Sequence, residues 1–450
     1  MTSDLLIDYD AARAARASPI IPVREKSDDL AAVPESLRAL ARFNGFAGEA
    51  GATLVNADGA LVGVGDASDP FVLAAAAEKL PEGDWRIDRA DANGLLAWLL
   101  GSYRFDRYKK GKKPAARLIA PEGADAGAAR RTAEAVFFVR DLVNTPASDM
   151  LPDALEAQAR KLADAFGADI AVVSGDALLA EGLNMIHAVG RASASAPRLI
   201  DMVWGRADAP KVTLIGKGVC FDSGGLNIKG AEGMALMKKD MGGAANALGL
   251  ARLIMDARLD LRPRVLIPAV ENAIAGNAFR PGDILKSRKG LTVEIGNTDA
   301  EGRLILADAM AVGGEDAPHC MITLATLTGA ARVALGPELP PFYCDDEGFA
   351  ASVLAASAAA NDPVWRMPLW APYASMLSSQ VADLNNAPGG SFAGSVTAAL
   401  FLKKFAPANA VFAHFDIYAW RAKAAPGRPM GGEAQAIRAL YDTLRTHRFR

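Results

Sequence analysis

Two periodicities of apolar residues divide the chain into helix-like and strand-like stretches. Near the N-terminus, residues 34–43 carry the helical period, Thr53-Leu54-Val55 and Leu61-Val62-Gly63-Val64 read as strands joined across Asn56-Ala57-Asp58-Gly59, and residues 71–80 and 92–103 read as helices. Residues 125–142 predict a longer amphipathic helix with Asp125 as its N-cap, Ala135, Val136, Val139 and Leu142 on its apolar face, and a stop at Asn144-Thr145-Pro146. Beyond Pro152 the elements alternate: helix 152–166, strands 170–173, 199–204 and 212–219, helix 242–257, strands 264–270 and 321–327, helices 349–359 and 393–405, strand 410–415 and helix 432–444. This order predicts an α/β fold, with a mixed, doubly wound sheet flanked by helices in the larger domain and a smaller N-terminal α/β domain. The expected boundaries are 1–124 for the N-terminal domain, 125–145 for a connecting helix, and 146–450 for the domain that carries the chemistry.

Length and composition agree with that division. A chain of 450 residues exceeds the usual single-domain size, and 51% hydrophobic residues supply a core for each part. With a formal net charge of −3 there is no overall attraction to nucleic acid or anionic lipid, so neither is an expected partner. The N-terminus places Asp4 and Asp8 where an export signal needs basic residues, and no apolar run approaches the roughly 20 residues of a membrane span. Cys220, Cys320 and Cys344 are odd in number and widely spaced, which points to free thiols in a reducing cytoplasm. Four histidines without a paired spacing exclude His-rich zinc chemistry, so any metal must depend on oxygen ligands. Gly63-Val64-Gly65-Asp66-Ala67-Ser68 lacks the lysine of a phosphate loop and reads as a turn, and the basic run from Arg107 to Lys113 reads as a solvated loop.

The chemistry concentrates in Glu294-Ile295-Gly296-Asn297-Thr298-Asp299-Ala300-Glu301-Gly302-Arg303-Leu304, which follows the strand-like run 291–295 and precedes a helix expected from Leu304. In an extended backbone Asp299 and Glu301 face one side, as a metal site requires, although a charged turn with a salt bridge is the default for that triplet alone. Partners decide the matter. The run from Leu214 to Gly225 carries Lys217 and Asp222 in apolar surroundings where an unpaired charge is costly, and Lys229 follows it. Asp240 stands before a helix of small residues, where capping is the simpler reading. Together Asp222, Asp240, Asp299 and Glu301 supply four carboxylates, the charge balance of a site for two divalent cations. Lys217 could ligate only as a neutral amine; otherwise it is an ammonium paired to a carboxylate.

Asn297-Thr298-Asp299-Ala300-Glu301-Gly302-Arg303-Leu304 resembles the signature octapeptide of the leucyl aminopeptidase family of dimetal cytosol aminopeptidases. The resemblance continues through Gly216-Lys217-Gly218, Phe221-Asp222-Ser223-Gly224-Gly225, Asp240-Met241-Gly242-Gly243-Ala244-Ala245, Arg280-Pro281-Gly282-Asp283, Leu324-Ala325-Thr326-Leu327-Thr328-Gly329-Ala330 and His414-Phe415-Asp416, and it covers roughly residues 140 to 450. It implies that Lys217, Asp222, Asp240 and Glu301 hold one metal while Asp222, Asp299 and Glu301 hold the other. It further implies that Lys229 stabilises an oxyanion, that Arg303 anchors a bicarbonate serving as general base, and that Met237, Thr326, Leu327 and Gly329 line the pocket for the first side chain. The activity it implies is release of single N-terminal residues from peptides with a free N-terminus, by attack of a water acidified between two cations, in a homohexamer. Oxygen ligands with one amine admit Zn or Mn, and also Mg or Co. A non-catalytic or moonlighting nucleic-acid-binding assembly of the same fold and a two-metal phosphoesterase are the rival readings. The segment Tyr418-Ala419-Trp420-Arg421 is bulky, so that Tyr418 or Trp420 is expected to narrow the pocket toward small side chains.

Overall fold

The computed structural model describes residues 3–111 and 114–449, so that Lys112 and Lys113 of the basic run lie outside the described residues. The chain divides into two compact units, Met1–Phe137 with Arg421–Met430, and Phe138–Trp420 with Gly431–Arg450.

In the first unit six strands form a sheet in the order Leu6–Ile7, Ala116–Ile119, Gly83–Arg86, Ser18–Arg24, Gly59–Gly65, Thr53–Asn56. Every neighbouring pair is parallel except the last, which is the expected hairpin. The strand Ser18–Arg24 escaped the hydrophobic pattern because Pro19 and Pro22 interrupt it, and proline rarely sits inside a sheet. It is tolerated because the two neighbours use different stretches: Ser18 and Pro19 lie beside Trp85 and Arg86, whereas Ile20 to Arg24 lie beside residues 60–65. Helix Glu35–Phe43 closes the far end by burying Leu37 and Ala41, one turn apart, against Val23 and Leu61. The segment after Gly65 is a turn, with Ala67 at positive φ and the Ser68 amide donating to Asp66.

The second unit is built on a nine-stranded mixed sheet. Its centre is four adjacent parallel strands, Arg262–Asn272, Lys211–Gly216, Cys320–Ala325 and Val411–Asp416. Arg198–Val203 and Asp169–Ser174 extend one edge in antiparallel sense, and Pro341–Cys344 and Trp365–Arg366 extend the other. The central strands are buried almost throughout, which is why they read in the sequence as unbroken apolar runs. Helices pack along the sheet in two groups: Gly242–Asp256 meets Pro152–Phe166 and Ile437–Thr446, whereas Glu301–Glu315 meets Asn184–Gly190 and Gly394–Lys403.

Three local departures from the sequence pattern shape the site. The single strand expected over 212–219 is broken at Lys217 into Lys211–Gly216 and Gly218–Asp222, the second half pairing with the end of Arg262–Asn272. The helix expected from Leu304 begins three residues earlier, at Glu301, because the polar first turn has no apolar period to announce it. The C-terminal helix starts at Ile437 rather than 432; Gln435 donates its amide to Asn246 and Ala436 and Arg438 donate theirs to Asp362, so the residues that arrest the helix start come from distant segments.

Helix Gly242–Asp256 comes against the sheet so closely that a Cβ on Gly243 would collide with the carbonyl oxygen of Leu324, and one on Gly216 would lie 2.5 Å from Cα of Ala244. Gly243→Ala is therefore expected to lower stability by about 1–3 kcal/mol. A thermal melt of the variant superimposing on that of the parent would contradict this.

Candidate active site

The four central parallel strands end side by side, and Lys217, Asn272, Thr326 and Asp416 sit at or just past those ends, where α/β folds place their sites. The break at Lys217 is held by backbone: its amide donates to the Leu324 carbonyl at 3.0 Å and its carbonyl accepts from Ala244 at 2.8 Å. This jog turns the lysine side chain across the strand ends. There its Nζ lies 2.6 Å from Asp240 Oδ2 and 3.0 Å from Glu301 Oε1, and donates to the Thr326 carbonyl at 3.1 Å. Burial by itself would favour the neutral amine, but the carboxylates of Asp240, Glu301 and Asp222 outweigh it and push the Lys217 pKa up. Coordination by its amine would thus need a bound cation to expel the proton. Gly302 leaves room for this stem, since a Cβ there would stand 2.5 Å from Lys217 Cε.

Asp240 does not cap the following helix. The cap position is Met241, which makes no side-chain cap hydrogen bond, and the Asp240 carboxylate turns instead to Lys217 and to the Thr326 hydroxyl at 2.7 Å. Its pKa is lowered; burial opposes the shift, and the ammonium groups of Lys217 and Lys239 carry it. Asp222 accepts from the Asn272 side-chain amide at 2.9 Å and from the Gly224 amide at 2.8 Å, the latter inside a tight loop in which Gly224 and Gly225 both take positive φ. Lys229 bridges Asp222 Oδ2 at 2.9 Å and Asp299 Oδ1 at 2.5 Å, and its pKa is raised because those carboxylates prevail over desolvation.

One carboxylate oxygen each of Asp222, Asp299 and Glu301 lies within 4.8 Å of the others. Burial, then the charge of Asp222, pushes Glu301 up to about 8 and Asp299 up to about 6. Glu301 Oε2 is buried with no hydrogen-bond partner among the described residues. Crowded carboxylates with an unpaired buried oxygen fit divalent cations, whose charge removes both penalties. Glu301 is also the first residue of its helix, where the macrodipole favours an anion.

The loop that presents Asp299 and Glu301 is fastened by residues whose part could not be read locally. The Thr298 hydroxyl donates to the Gly224 carbonyl at 2.6 Å and accepts from the Asn227 amide at 2.8 Å. Asn386, fully buried, accepts from the amides of Gly296 at 2.8 Å and Asn297 at 3.2 Å and donates to the carbonyls of Asn297 at 2.8 Å and Ala300 at 3.2 Å. Its own carbonyl receives Arg303 Nη1 at 2.6 Å. Burial lowers Arg303 to about 10, so it stays cationic at neutral pH, and its Nε has no partner among the described residues. Asn386 belongs to an ordinary loop-like stretch, Asp383-Leu384-Asn385-Asn386, and the only signal was two adjacent asparagines.

A cavity of about 300 Å³ opens over these groups, lined by Lys217, Asp222, Lys229, Asp240, Asp299 and Arg303 on one part. Met237, Thr326, Leu327 and Gly329 line it as well, and so does Tyr418. Trp420 is absent from the lining and sits under Lys238, whose Nζ is 5.5 Å from its ring centre. Thus the site assembles every residue the sequence singled out for metal, catalysis and the substrate pocket, while of the two bulky residues in 418–421 Tyr418 faces the cavity.

The fold and the site define a metal-dependent hydrolase of the α/β class. A sequence profile of the cytosol aminopeptidase family, catalytic domain, matches residues 137–441, and one of the M17 aminopeptidase N-terminal domain matches residues 18–121. The chain belongs to the cytosol aminopeptidase family. It is 42% identical over 393 residues to a probable cytosol aminopeptidase of Roseiflexus castenholzii, covering 83% of this chain and 79% of that protein. Its fold matches the crystal structure of a cytosol aminopeptidase from Coxiella burnetii with a TM-score of 0.93 and 42% identity, over 99% of this chain and 100% of the other. The bottromycin maturation enzyme BotP in complex with Mn matches with a TM-score of 0.86 and 33% identity, over 98% and 99% of the two chains.

Because Asn386 alone satisfies several amides and carbonyls of the acidic loop, Asn386→Ala is expected to cost about 1–3 kcal/mol of stability and to weaken divalent-metal binding. Melting and metal-titration calorimetry check this; parental values in both would show that the loop holds itself.

Proposed function

We propose that the protein is a metal-dependent aminopeptidase that releases single residues from peptides with a free N-terminus. The observation that carries this reading is the set of mutually repelling carboxylates, Asp222 and Glu301 buried and Asp299 half-buried, with an orphan Glu301 oxygen, beside a side-chain-sized cavity. Lys217, Asp222, Asp240 and Glu301 would hold one divalent ion and Asp222, Asp299 and Glu301 a second, with Zn or Mn as the first choices and Mg or Co as alternatives. When bound, such ions supply Lewis-acid polarisation of a carbonyl and a water acidic enough to attack it near neutral pH.

The chain's own groups then have distinct tasks. Lys229, half-buried at the cavity wall and firmly protonated, would donate to the amide oxygen as negative charge builds there. Arg303 reaches the same cavity with one nitrogen uncommitted, which suits a small anion such as bicarbonate, the general base implied by the family resemblance. An unblocked α-amine would be recognised at the metal site, so an acetylated N-terminus loses that recognition. Met237, Thr326, Leu327 and Gly329 would receive the first side chain. We assign residues 1–124 as an N-terminal domain, 125–145 as the connecting helix and 146–450 as the catalytic domain. Homohexameric assembly rests on the family resemblance. A cytoplasmic setting is supported by three buried, unpaired cysteines; no helix among the described residues is long and apolar enough to cross a membrane.

The test uses aminoacyl anilides beside their N-acetyl counterparts, with chelation and metal add-back. Hydrolysis of the free-amine substrates alone, lost on chelation and restored by Zn or Mn, is expected; equal turnover of acetylated substrate would sink the reading. Lys229→Met should retain bound metal while kcat falls by about 10²–10³-fold. Glu301→Gln should lose both metal and activity, and metal analysis of the two variants separates the roles.

A further inference from the structure

The cavity lining carries both acids and cations. Every carboxylate in its lining, namely Asp222, Asp240 and Asp299, belongs to the proposed metal site and is in contact with Lys217 or Lys229. Beside the residues that would receive the first side chain, the lining holds two further cations, Lys239 and Arg332, gathered around Tyr418. The Arg332 guanidinium lies 4.7 Å from the Tyr418 ring centre and Lys239 Nζ lies 5.2 Å from it. The backbone on either side of the ring is fixed, because the amides of Tyr418 and Ala419 both donate to Gln435 Oε1 at 2.9 Å.

Among the described residues Arg332 has no carboxylate partner, and Lys239 has only one that it shares. Arg332 makes no ion pair among the described residues, and its guanidinium lies over the Tyr418 ring. Lys239 is only 4% exposed, and its nearest acid is Asp240 Oδ1 at 3.7 Å, an oxygen already receiving the Thr326 hydroxyl while its twin is taken by Lys217. Burying a lysine in a side-chain pocket is costly unless an anion meets it there, and a pocket shaped for leucine would place an apolar residue at this point. Met237 and Leu327 provide apolar contact for the methylenes that carry a side-chain carboxylate.

We propose that this pocket selects peptides whose first residue is Asp or Glu, the side-chain carboxylate being bound by Arg332 and Lys239 beside the Tyr418 ring. The proposal rests on the aminopeptidase reading above and names its substrate class. Charge complementarity to the Arg332 guanidinium and the buried Lys239 ammonium gives tighter binding of an acidic than of an isosteric neutral side chain, and it disfavours lysine and arginine at the same position.

The experiment measures kcat/KM of the metal-loaded enzyme for Glu, Asp, Gln, Leu, Ala and Lys p-nitroanilides. Glu or Asp is expected to exceed Gln and Leu by about 10-fold or more, with Lys the poorest. In Arg332→Ala and Lys239→Met the Glu-to-Leu ratio should each fall by about 10-fold, and in Arg332→Glu the Glu-to-Lys ratio should fall further. Arg332 is exposed, so its variants are expected to melt as the parent does, and a ratio taken within one variant is independent of the amount folded. Faster cleavage of Leu or Ala than of Glu and Asp would overturn the acidic preference and leave the aminopeptidase intact. Unchanged ratios in the Arg332 and Lys239 variants would overturn the assignment of these residues, and cleavage of none of the anilides would overturn both readings.

Discussion

The buried contact between Lys217 and the carboxylates of Asp240 and Glu301 is the constraint around which the larger unit is arranged. An ammonium removed from water at the end of a central strand must be met by acids, and those acids come from a 3-10 turn before one helix and from the first residue of another. The strand has to break at Lys217 to point the side chain across the sheet edge. Once it does, the strand ends, the start of Gly242–Asp256 and the start of Glu301–Glu315 are tied to one point.

Small residues make that convergence sterically possible. Gly216 and Gly243 allow helix and strand backbones to touch, and Gly302 leaves a channel for the lysine stem. Hydrogen bonds from Asn386, Thr298 and Asn272 then hold the acidic loop against the repulsion of its own charges. Burial, and then the repulsion confined in this way, makes Asp299 and Glu301 hold their protons more tightly than exposed acids do. Lys217 and Lys229 offset only part of the negative charge: each spans two carboxylates, and one oxygen of Glu301 stays unmatched.

The same cavity wall shows how one fold can keep its chemistry and change its selectivity. The acidic part is locked by buried ion pairs and backbone contacts. Beside it, Lys239, Arg332 and Tyr418 line the cavity from a turn, a short helix and a segment past a strand end. Changing them alters what the pocket accepts without moving a strand.

Much of this was legible along the chain. Fully buried parallel strands have to be apolar on both faces, so the central four announce themselves as continuous runs, and Lys217 and Asp222, which interrupt and follow one of them, stand out as expensive to bury. The helix Pro152–Phe166 was readable to its ends because proline at its start and Gly167 in a left-handed conformation past its end are local signals. Other features depend on partners far away in sequence, and no local pattern encodes them. The strand Ser18–Arg24 tolerates two prolines only because its neighbours are staggered, and the last helix begins at Ile437 only because Asp362 and Asn246 claim the amides before it. Asp240 resembles a helix cap until Lys217 is brought to 2.6 Å from it. Asn386 and Arg332 look like ordinary loop and surface residues until the fold carries one beneath the acidic loop and the other to the cavity wall. Residue type and spacing therefore determined which chemistry the protein could perform; which side chains meet in the site, and which cations face its cavity, was decided by the tertiary structure, because those contacts join residues tens to hundreds of positions apart.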